Sequence, residues 1–255
     1  MGRWLAYYGK PVRLERFLYG PPPALIEQGR SGAGVGWYPG SGEPEVFTSA
    51  EPAGEDLLEL AGRTESHLFL ACSAGTPLRH GRWLWIHDGL VRDWSAVERD
   101  LVRAVEPRLQ PLLEGAGESE ALFFLALTLG LEKDPAGAVE RTVGLVEDVG
   151  RRRGVERPFR GPIVATDGER LWSFCYSSDG SAPPVHYTTR YETLKALYPG
   201  DPRLDGLDAE TRLVSSQPFD DLPGVWNHLP EASWGVVQQG QDELGTFRPA
   251  APVPA

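Results

Sequence analysis

The sequence predicts an α+β layered domain, in which packed β-sheets are covered by helices. Segments with strand-like alternation or β-branched and aromatic content lie towards both ends of the chain, and most segments with helical periodicity lie in the middle. The chain has 255 residues, 41% of them hydrophobic, enough for one domain with a large core. We expect a single domain over residues 1–247 and a flexible Pro/Ala-rich tail over residues 248–255.

The first part of the chain is predicted to be rich in strands. In order, the segments are an apolar and aromatic opening strand over residues 1–8, a Pro-rich joint at 21–23, a short amphipathic piece at 24–28, a glycine-rich strand at 32–38, a strand at 45–49, a helix at 55–62 and a strand at 67–71. In the glycine-rich strand, Gly34 and Gly36 share one face, so something else can approach the backbone closely there.

The middle of the chain predicts helices, and the last third returns to strands. The segments are a β-rich run at 82–86 ended by the turn-forming trio 87–89, helices at 94–105, 119–131 and 135–151, a hairpin of strands 163–166 and 171–176, and strands at 185–188, 211–216 and 234–238. The helix at 119–131 is apolar almost all round, which predicts that it is buried. The hairpin contains Asp167-Gly168, a pair typical of tight turns.

Composition excludes several classes of function. The net charge of −11 and the pI near 5.0 disfavour binding to nucleic acid, because an acidic surface repels phosphates. No apolar stretch has the length needed to cross a bilayer, and the N-terminus lacks the pattern of a leader, so we expect a cytoplasmic protein without membrane contact. Cys72 and Cys175 are expected to be packed thiols.

The sequence offers no signature of a metal or cofactor. The five histidines are too dispersed for a zinc site. The glycines at positions 32, 34 and 36 do not lead into a helix, so they are not a dinucleotide-binding fingerprint. We therefore expect no cofactor and no metal.

Several segments, in order over nearly the whole chain, resemble the class II glutamine amidotransferases. The segments that carry the resemblance are Arg-Trp-Leu-Ala-Tyr at 3–7, Gly-Val-Gly-Trp-Tyr at 34–38, Gly-Arg-Trp-Leu at 81–84, His-Asp-Gly at 87–89, Glu-Ser-Glu-Ala at 118–121, Ala-Thr-Asp-Gly-Glu-Arg-Leu-Trp at 165–172, Leu-Pro-Gly-Val-Trp at 222–226 and Trp-Gly-Val-Val at 234–237. The resemblance implies the N-terminal nucleophile hydrolase fold, a four-layer αββα sandwich of two antiparallel sheets between helix layers.

The same resemblance implies a set of catalytic groups. In this family a Cys follows the initiator Met, and its thiol attacks the carboxamide of glutamine with the chain's own α-amino group as base. An Asn side chain and a Gly N–H from a His-Asn-Gly turn stabilise the oxyanion. An Arg binds the α-carboxylate of the substrate, and an Asp binds its α-ammonium group.

This chain departs from that set at most positions. Gly2 stands at the nucleophile position, Asp88 replaces the oxyanion Asn, and only Gly89 is kept. Glu118 takes the place of the ammonium-binding Asp, and the segment between Ala71 and Arg82 is too short to hold the Arg and its loop. Loss of one oxyanion donor alone lowers rates by about a hundred- to a thousandfold. We predict a catalytically inactive domain, a pseudoenzyme, retained for another role.

Three functions are compatible with the sequence. The first is a binding or regulatory subunit whose partner is a protein: an active relative, the synthetase that would receive ammonia, or a second copy of the chain. The second is an amidohydrolase of glutamine or of a γ-glutamyl amide, as in ergothioneine biosynthesis, with residue 2 altered or with Cys72 as nucleophile and His80 or His87 as base. The third is a small-molecule sensor in which Glu118 contacts an ammonium group.

Overall fold

The computed structural model describes residues 2–20, 25–26, 32–40, 42–51, 54–113, 115 and 117–251. The strands are β1 Trp4–Arg13, β2 Ala33–Trp37, β3 Glu45–Ser49, β4 Glu65–Cys72, β5 Leu78–His80, β6 Trp83–His87, β7 Leu90–Val91, β8 Phe159–Thr166, β9 Leu171–Ser177, β10 Val185–Thr188, β11 Arg212–Ser215, β12 Trp226–Leu229, β13 Ser233–Val237 and β14 Glu243–Thr246. The helices are α1 Glu15–Leu18, α2 Glu55–Arg63, α3 Trp94–Ala104, α4 Glu118–Thr128, α5 Pro135–Arg153 and α6 Tyr191–Leu197, with 3₁₀ turns at Gln110–Leu112 and Pro202–Leu204. The Pro-rich joint predicted at 21–23 and most of the amphipathic piece predicted at 24–28 lie outside the described residues.

The strands form two antiparallel sheets. The first sheet has the order β12-β10-β11-β1-β4-β2-β3, and the second has the order β14-β13-β9-β8-β6-β5. Strand β7 pairs with the first two residues of β8, and β6 pairs with the last four. Helices α1, α2 and α6 lie with the first sheet, and α3, α4 and α5 pack on the second. The predicted αββα sandwich is confirmed.

The alternation of β1 shows how the sequence builds these layers. Trp4, Ala6 and Tyr8 face the second sheet, whereas Leu5 and Tyr7 face outwards beneath α1 and α2. All of them are buried, because both faces of this strand are covered. The opening of the chain is therefore held in the centre of the molecule.

Helix α4 is buried as its composition predicts, and α5 has clear end signals. The Asp134 carboxylate accepts a hydrogen bond from the Gly137 N–H (3.1 Å), which caps the start of α5. Gly154 ends the helix with a φ of 74°, a conformation that suits glycine. Packing of α3, α4 and α5 on one another and on the second sheet forms the largest apolar cluster.

One local expectation needs correction. The trio His87-Asp88-Gly89 does not reverse the chain, because β6 and β7 both pair with β8 and the trio joins them along that strand. In the predicted tail, the Arg248 N–H donates to Glu140 Oε1 (2.7 Å) and the Ala250 N–H donates to the Glu140 carbonyl (3.2 Å). Residues 252–255 lie outside the described part.

Within the described ranges, none of the helices combines the length and the apolar composition needed to span a bilayer.

Candidate active site at the N-terminal end of the first sheet

Three strands of the first sheet bring the sequence-predicted positions together. In the register of β1, β4 and β2, Trp4 lies opposite Cys72, and Cys72 lies opposite Gly34. Trp4 and Cys72 point between the sheets, and Gly2 directly precedes the strand that carries Trp4. We call this region the N-terminal cleft.

The second sheet contributes Asp88 to the same cleft, at the end of β6. Burial raises the pKa of Asp88, and the nearby Trp4 indole offsets part of that rise. The indole nitrogen of Trp4 is buried and makes no hydrogen bond of normal geometry within the described residues. Burial, with a further contribution from the Asp88 charge, raises the pKa of Cys72 to about 12. Asp88, Trp4 and Cys72 are therefore electrostatic neighbours.

A short turn, Ser73–Thr76, closes the cleft around Gly2. The Arg3 N–H donates to Ser73 Oγ (2.8 Å), and the Ser73 N–H donates to the Arg3 carbonyl (2.8 Å). A Cβ atom at Gly2 would lie 2.6 Å from Ala74 Cβ and 2.8 Å from the Ala74 backbone nitrogen. A side chain at position 2 would therefore require the backbone of the turn to move.

The same turn covers the start of β2. A Cβ atom at Gly34 would lie 2.7 Å from the Gly75 carbonyl oxygen and 2.7 Å from Thr76 Cα. Thr76 Oγ1 is also hydrogen-bonded to Thr48 Oγ1 on β3 (2.7 Å). The close approach predicted for the glycine-rich strand is thus made by the chain itself. The short segment after Ala71 therefore lies against both Gly2 and Gly34.

The structure separates Cys72 from the histidines considered as its base. Cys72 points between the sheets, whereas the His80 ring packs against Phe124, 5.6 Å between centroids, on the helix-covered face of the second sheet. A thiol with a pKa near 12 is neutral at physiological pH. Cys72 is a core residue with no catalytic partner among the described residues.

His87 also lies on the helix-covered face. Its ring stacks on Phe159 with 5.4 Å between centroids, and its Nδ1 is 3.3 Å from Ser119 Oγ. Burial lowers the pKa of His87 to about 4, and its Nε2 is buried without a hydrogen-bond partner in the described chain. The imidazole is therefore neutral and faces away from the N-terminal cleft.

Gly89 has a packing role that requires a glycine. A Cβ atom there would lie 1.9 Å from the Arg160 carbonyl oxygen and 2.7 Å from Gly161 Cα on β8. The adjacent Asp88 N–H donates to the Pro162 carbonyl (3.2 Å). The contact between these two chain segments explains the presence of Gly89 without a role in an oxyanion hole.

Glu118 is the first residue of α4, and its side chain holds the backbone of β7. Its Oε2 accepts a hydrogen bond from the Val91 N–H (2.7 Å). A carboxylate in the first turn of a helix is also stabilised by the helix dipole. The carboxylate that was a candidate for an ammonium group therefore has a structural partner.

The short segment between residues 71 and 82 is visible in the sequence, whereas the contact of Ala74 with Gly2 is not. Only three-dimensional geometry could find this contact, because the two residues are 72 positions apart. In the described part of the chain, no three His, Cys, Asp or Glu side chains converge as a set of metal ligands.

Comparison with known proteins supports the family resemblance. No family model matches the chain. The chain is 26% identical over 259 residues to the γ-glutamyl-hercynylcysteine sulfoxide hydrolase of Mycolicibacterium smegmatis, covering 91% of this chain and 93% of that protein. It is 28% identical to a glutamine aminotransferase class-II domain protein of Silicibacter pomeroyi, with a TM-score of 0.79, covering 97% and 99% of the two chains.

A more distant structure shows the fold alone. The glutamine phosphoribosylpyrophosphate amidotransferase of Bacillus subtilis superposes with a TM-score of 0.65 at 9% identity, covering 98% of this chain and 50% of the enzyme. The resemblance drawn from the sequence is confirmed by these matches, whereas none of them bears on the losses in the N-terminal cleft.

Proposed function

We propose that this chain, which has the fold of the class II glutamine amidotransferases, is a catalytically inactive form of that enzyme that works by binding. The observation that carries the proposal is the Ser73–Thr76 turn, which fills the space that a side chain at Gly2 would need. An N-terminal nucleophile enzyme needs both a reactive side chain and open space at that point.

The groups that surround Gly2 do not replace the missing thiol. At pH 7 a thiol with a pKa near 12 is ionised in about one molecule in 10⁵, so Cys72 is a poor nucleophile. An ionised Asp88 would repel a developing oxyanion, in place of the hydrogen bond that an Asn donates. The neutral Cys72 thiol and the Asp88 carboxylate therefore disfavour amide hydrolysis, as the closed turn does.

A domain with an intact core and a closed cleft is suited to a regulatory or binding role. Three buried apolar clusters lie between the sheets and between each sheet and its helices. The partner we propose is a protein: an active relative, a synthetase that accepts ammonia, or a second copy of the chain. Such a partner would be affected by binding rather than by ammonia released from this chain.

The first experiment measures glutamate release from L-glutamine and from a panel of γ-glutamyl amides, with the M. smegmatis hydrolase as positive control. We expect no release above the protein-free rate. The second adds the chain to an active class II enzyme from its own source and measures binding and any change in kcat or KM. Glutamate release at a rate similar to the control would refute the proposal.

A second candidate is an amidohydrolase acting on a γ-glutamyl compound. The full-length similarity to a γ-glutamyl-hercynylcysteine sulfoxide hydrolase favours it. The same panel is extended to γ-glutamyl sulfoxides and repeated with Cys72→Ala, which distinguishes attack by Cys72 from attack by an activated water. Activity lost in Cys72→Ala would identify a relocated nucleophile, whereas activity kept in that variant would indicate a water activated by the Gly2 amine.

A further inference from the structure

A large cavity lies on the outer face of the first sheet, on the side opposite the N-terminal cleft. Helix α2 packs against β1 and β3 and covers one half of that face. The half formed by β10, β11 and β12 is covered by the seven-residue α6, the 3₁₀ turn at Pro202–Leu204 and the loop after β11. These short elements leave a cavity of about 520 Å³, with Thr188, Leu213 and Trp226 as its floor.

The walls of this cavity are mainly aromatic and aliphatic. Phe17, Tyr191, Tyr198 and Phe219 line it together with the floor residue Trp226. Phe219 stacks on Trp226 with 6.0 Å between ring centroids. The Trp226 indole N–H donates to Asp220 Oδ1 (3.3 Å), which fixes the ring. The cavity is therefore lined by aromatic surfaces, two of which are held in place by contacts of their own.

Both guanidinium groups at the cavity already donate hydrogen bonds within the chain. Arg203 donates from Nε to Asp201 Oδ1 (3.0 Å) and from Nη1 to Asp220 Oδ2 (3.3 Å). Arg16 Nη2 donates to the Arg203 carbonyl (2.8 Å). With Asp205 also at the cavity, three carboxylates stand against two guanidinium groups among the described lining residues. An anionic ligand would therefore meet a slight excess of negative charge among these residues.

We propose that this cavity is a binding site for a planar aromatic small molecule that carries no negative charge. Cavities of about 300–1,000 Å³ with apolar and aromatic walls are the usual sites for small molecules. Aromatic rings favour offset-stacked or edge-to-face contact with another ring. Burial of an anionic group here would cost free energy, because carboxylates outnumber guanidinium groups among the described lining residues. The site is independent of the N-terminal cleft, since Gly2, Cys72 and Asp88 do not line it.

One wall of the cavity is attached to the beginning of β1. The Arg3 guanidinium lies 5.0 Å from the centre of the Phe219 ring, and Arg3 Nη2 donates to the Pro218 carbonyl (3.0 Å). Ser216 and Trp4 also exchange hydrogen bonds, of 3.1 and 3.2 Å. These contacts hold the loop that carries Phe219, so the aromatic wall is a fixed part of the fold.

The test uses N-phenyl-1-naphthylamine, an uncharged probe that fluoresces in apolar sites, and 1-anilinonaphthalene-8-sulfonate, a related probe with an added sulfonate. We expect saturable binding of the neutral probe and at least tenfold weaker binding of the anionic one. Leu213→Trp and Leu207→Trp each add a large side chain to the cavity and should weaken binding of the neutral probe at least tenfold. Leu58→Trp, on the exposed face of α2, is the matched control and should leave binding unchanged.

A second measurement does not depend on variants that fill the cavity. In the unaltered chain, the indole N–H resonance of Trp226, assigned with Trp226→Phe, should shift on addition of the neutral probe, whereas that of Trp94 on α3 should not. Absence of saturable binding, equal binding by the filled variants that fold, an unmoved Trp226 resonance or tighter binding of the anionic probe would each overturn the proposal. None of these outcomes depends on glutaminase activity.

Discussion

At position 2, Ala74 occupies the space that a side chain would need. Gly2→Cys supplies the family's nucleophile but places its Cβ 2.8 Å from the Ala74 backbone nitrogen. We therefore expect no glutaminase activity in Gly2→Cys, and also none in Gly2→Cys combined with Asp88→Asn. Both variants should be destabilised by about 1–3 kcal/mol, the usual cost of overpacking. A glutaminase assay and urea unfolding measure the two effects.

Gly2→Ala is the control for this experiment, because it adds the same Cβ atom without a thiol. It should lower the free energy of unfolding by about as much as Gly2→Cys. Recovery of family-like glutamate release in Gly2→Cys alone would show that the turn opens readily and that only the thiol is lacking.

His87 predicts a dependence of stability on pH. Its pKa is lowered to about 4 in the folded state, so between pH 6.5 and 4 the unfolded chain binds a proton that the folded chain does not. The free energy of unfolding should therefore fall as the pH falls through this window. At pH 5.5 the expected loss from this group is about 1.4 kcal/mol relative to pH 8.

The contribution of His87 is isolated by His87→Gln, which does not titrate. The pKa of His186 is also lowered, by burial and by His228, so wild type and variant share that second contribution. Urea unfolding at pH 8 and 5.5 should show a smaller loss in the variant than in wild type. An equal loss in both would contradict the buried neutral state of His87.

Glu118 tests a structural role against a ligand-binding role. Glu118→Ala removes the acceptor of the Val91 N–H and should cost about 1–3 kcal/mol of stability, because a buried donor loses its partner. Glu118→Gln keeps an acceptor oxygen and should cost less. Thermal and urea unfolding give the ranking. If both variants were as stable as wild type, the carboxylate would be free for another role.

At the scale of an element, β2 shows two kinds of close approach within one strand. A Cβ at Gly34 meets the backbone of the Ser73–Thr76 turn, whereas a Cβ at Gly36 meets the flexible end of Leu84, 2.8 Å from Cδ2. We expect Gly36→Ala to lower the free energy of unfolding by about 1–3 kcal/mol. Gly34→Ala should lower it by more. Urea unfolding compares them.

Leu84→Val provides the control for the Gly36 contact. This shorter side chain should recover part of the loss in Gly36→Ala but none of the loss in Gly34→Ala, because only contacting residues couple. If Gly34→Ala and Gly36→Ala lowered the free energy of unfolding equally, the backbone of the turn would move as readily as the Leu84 side chain.

The longer helices were predictable from the sequence, whereas several of the shortest strands were not. Helices α2, α3, α4 and α5 lie where the sequence predicts them, within a few residues at each end. Short strands such as β5, β7 and β12 hold too few residues to show a period, and their strand state depends on pairing with a neighbour. Asp88 and Gly89 are typical turn residues, but they link two strands that both pair with β8. Local propensity cannot reveal such a shared partner strand, so the sequence predicted a turn there.

At the scale of the whole molecule, the order of family-like segments predicted the layered sandwich, but no pattern predicted the state of its cleft. The absence of a thiol at Gly2 is visible in the sequence, as is the short segment after Ala71. This segment packs against Gly2 and Gly34 through contacts between residues far apart in the chain, which the sequence does not show. The outer cavity depends in the same way on how short helices cover the sheet.

The central claim is that the N-terminal cleft holds no nucleophile able to attack a γ-carboxamide. The most direct test is intact-protein mass spectrometry after incubation with 6-diazo-5-oxo-L-norleucine, a glutamine analogue that alkylates such a nucleophile, with an active class II enzyme as control. We predict a full single adduct on the control enzyme and an unmodified mass for this chain. A stoichiometric adduct that maps to Gly2 or Cys72 would contradict the account.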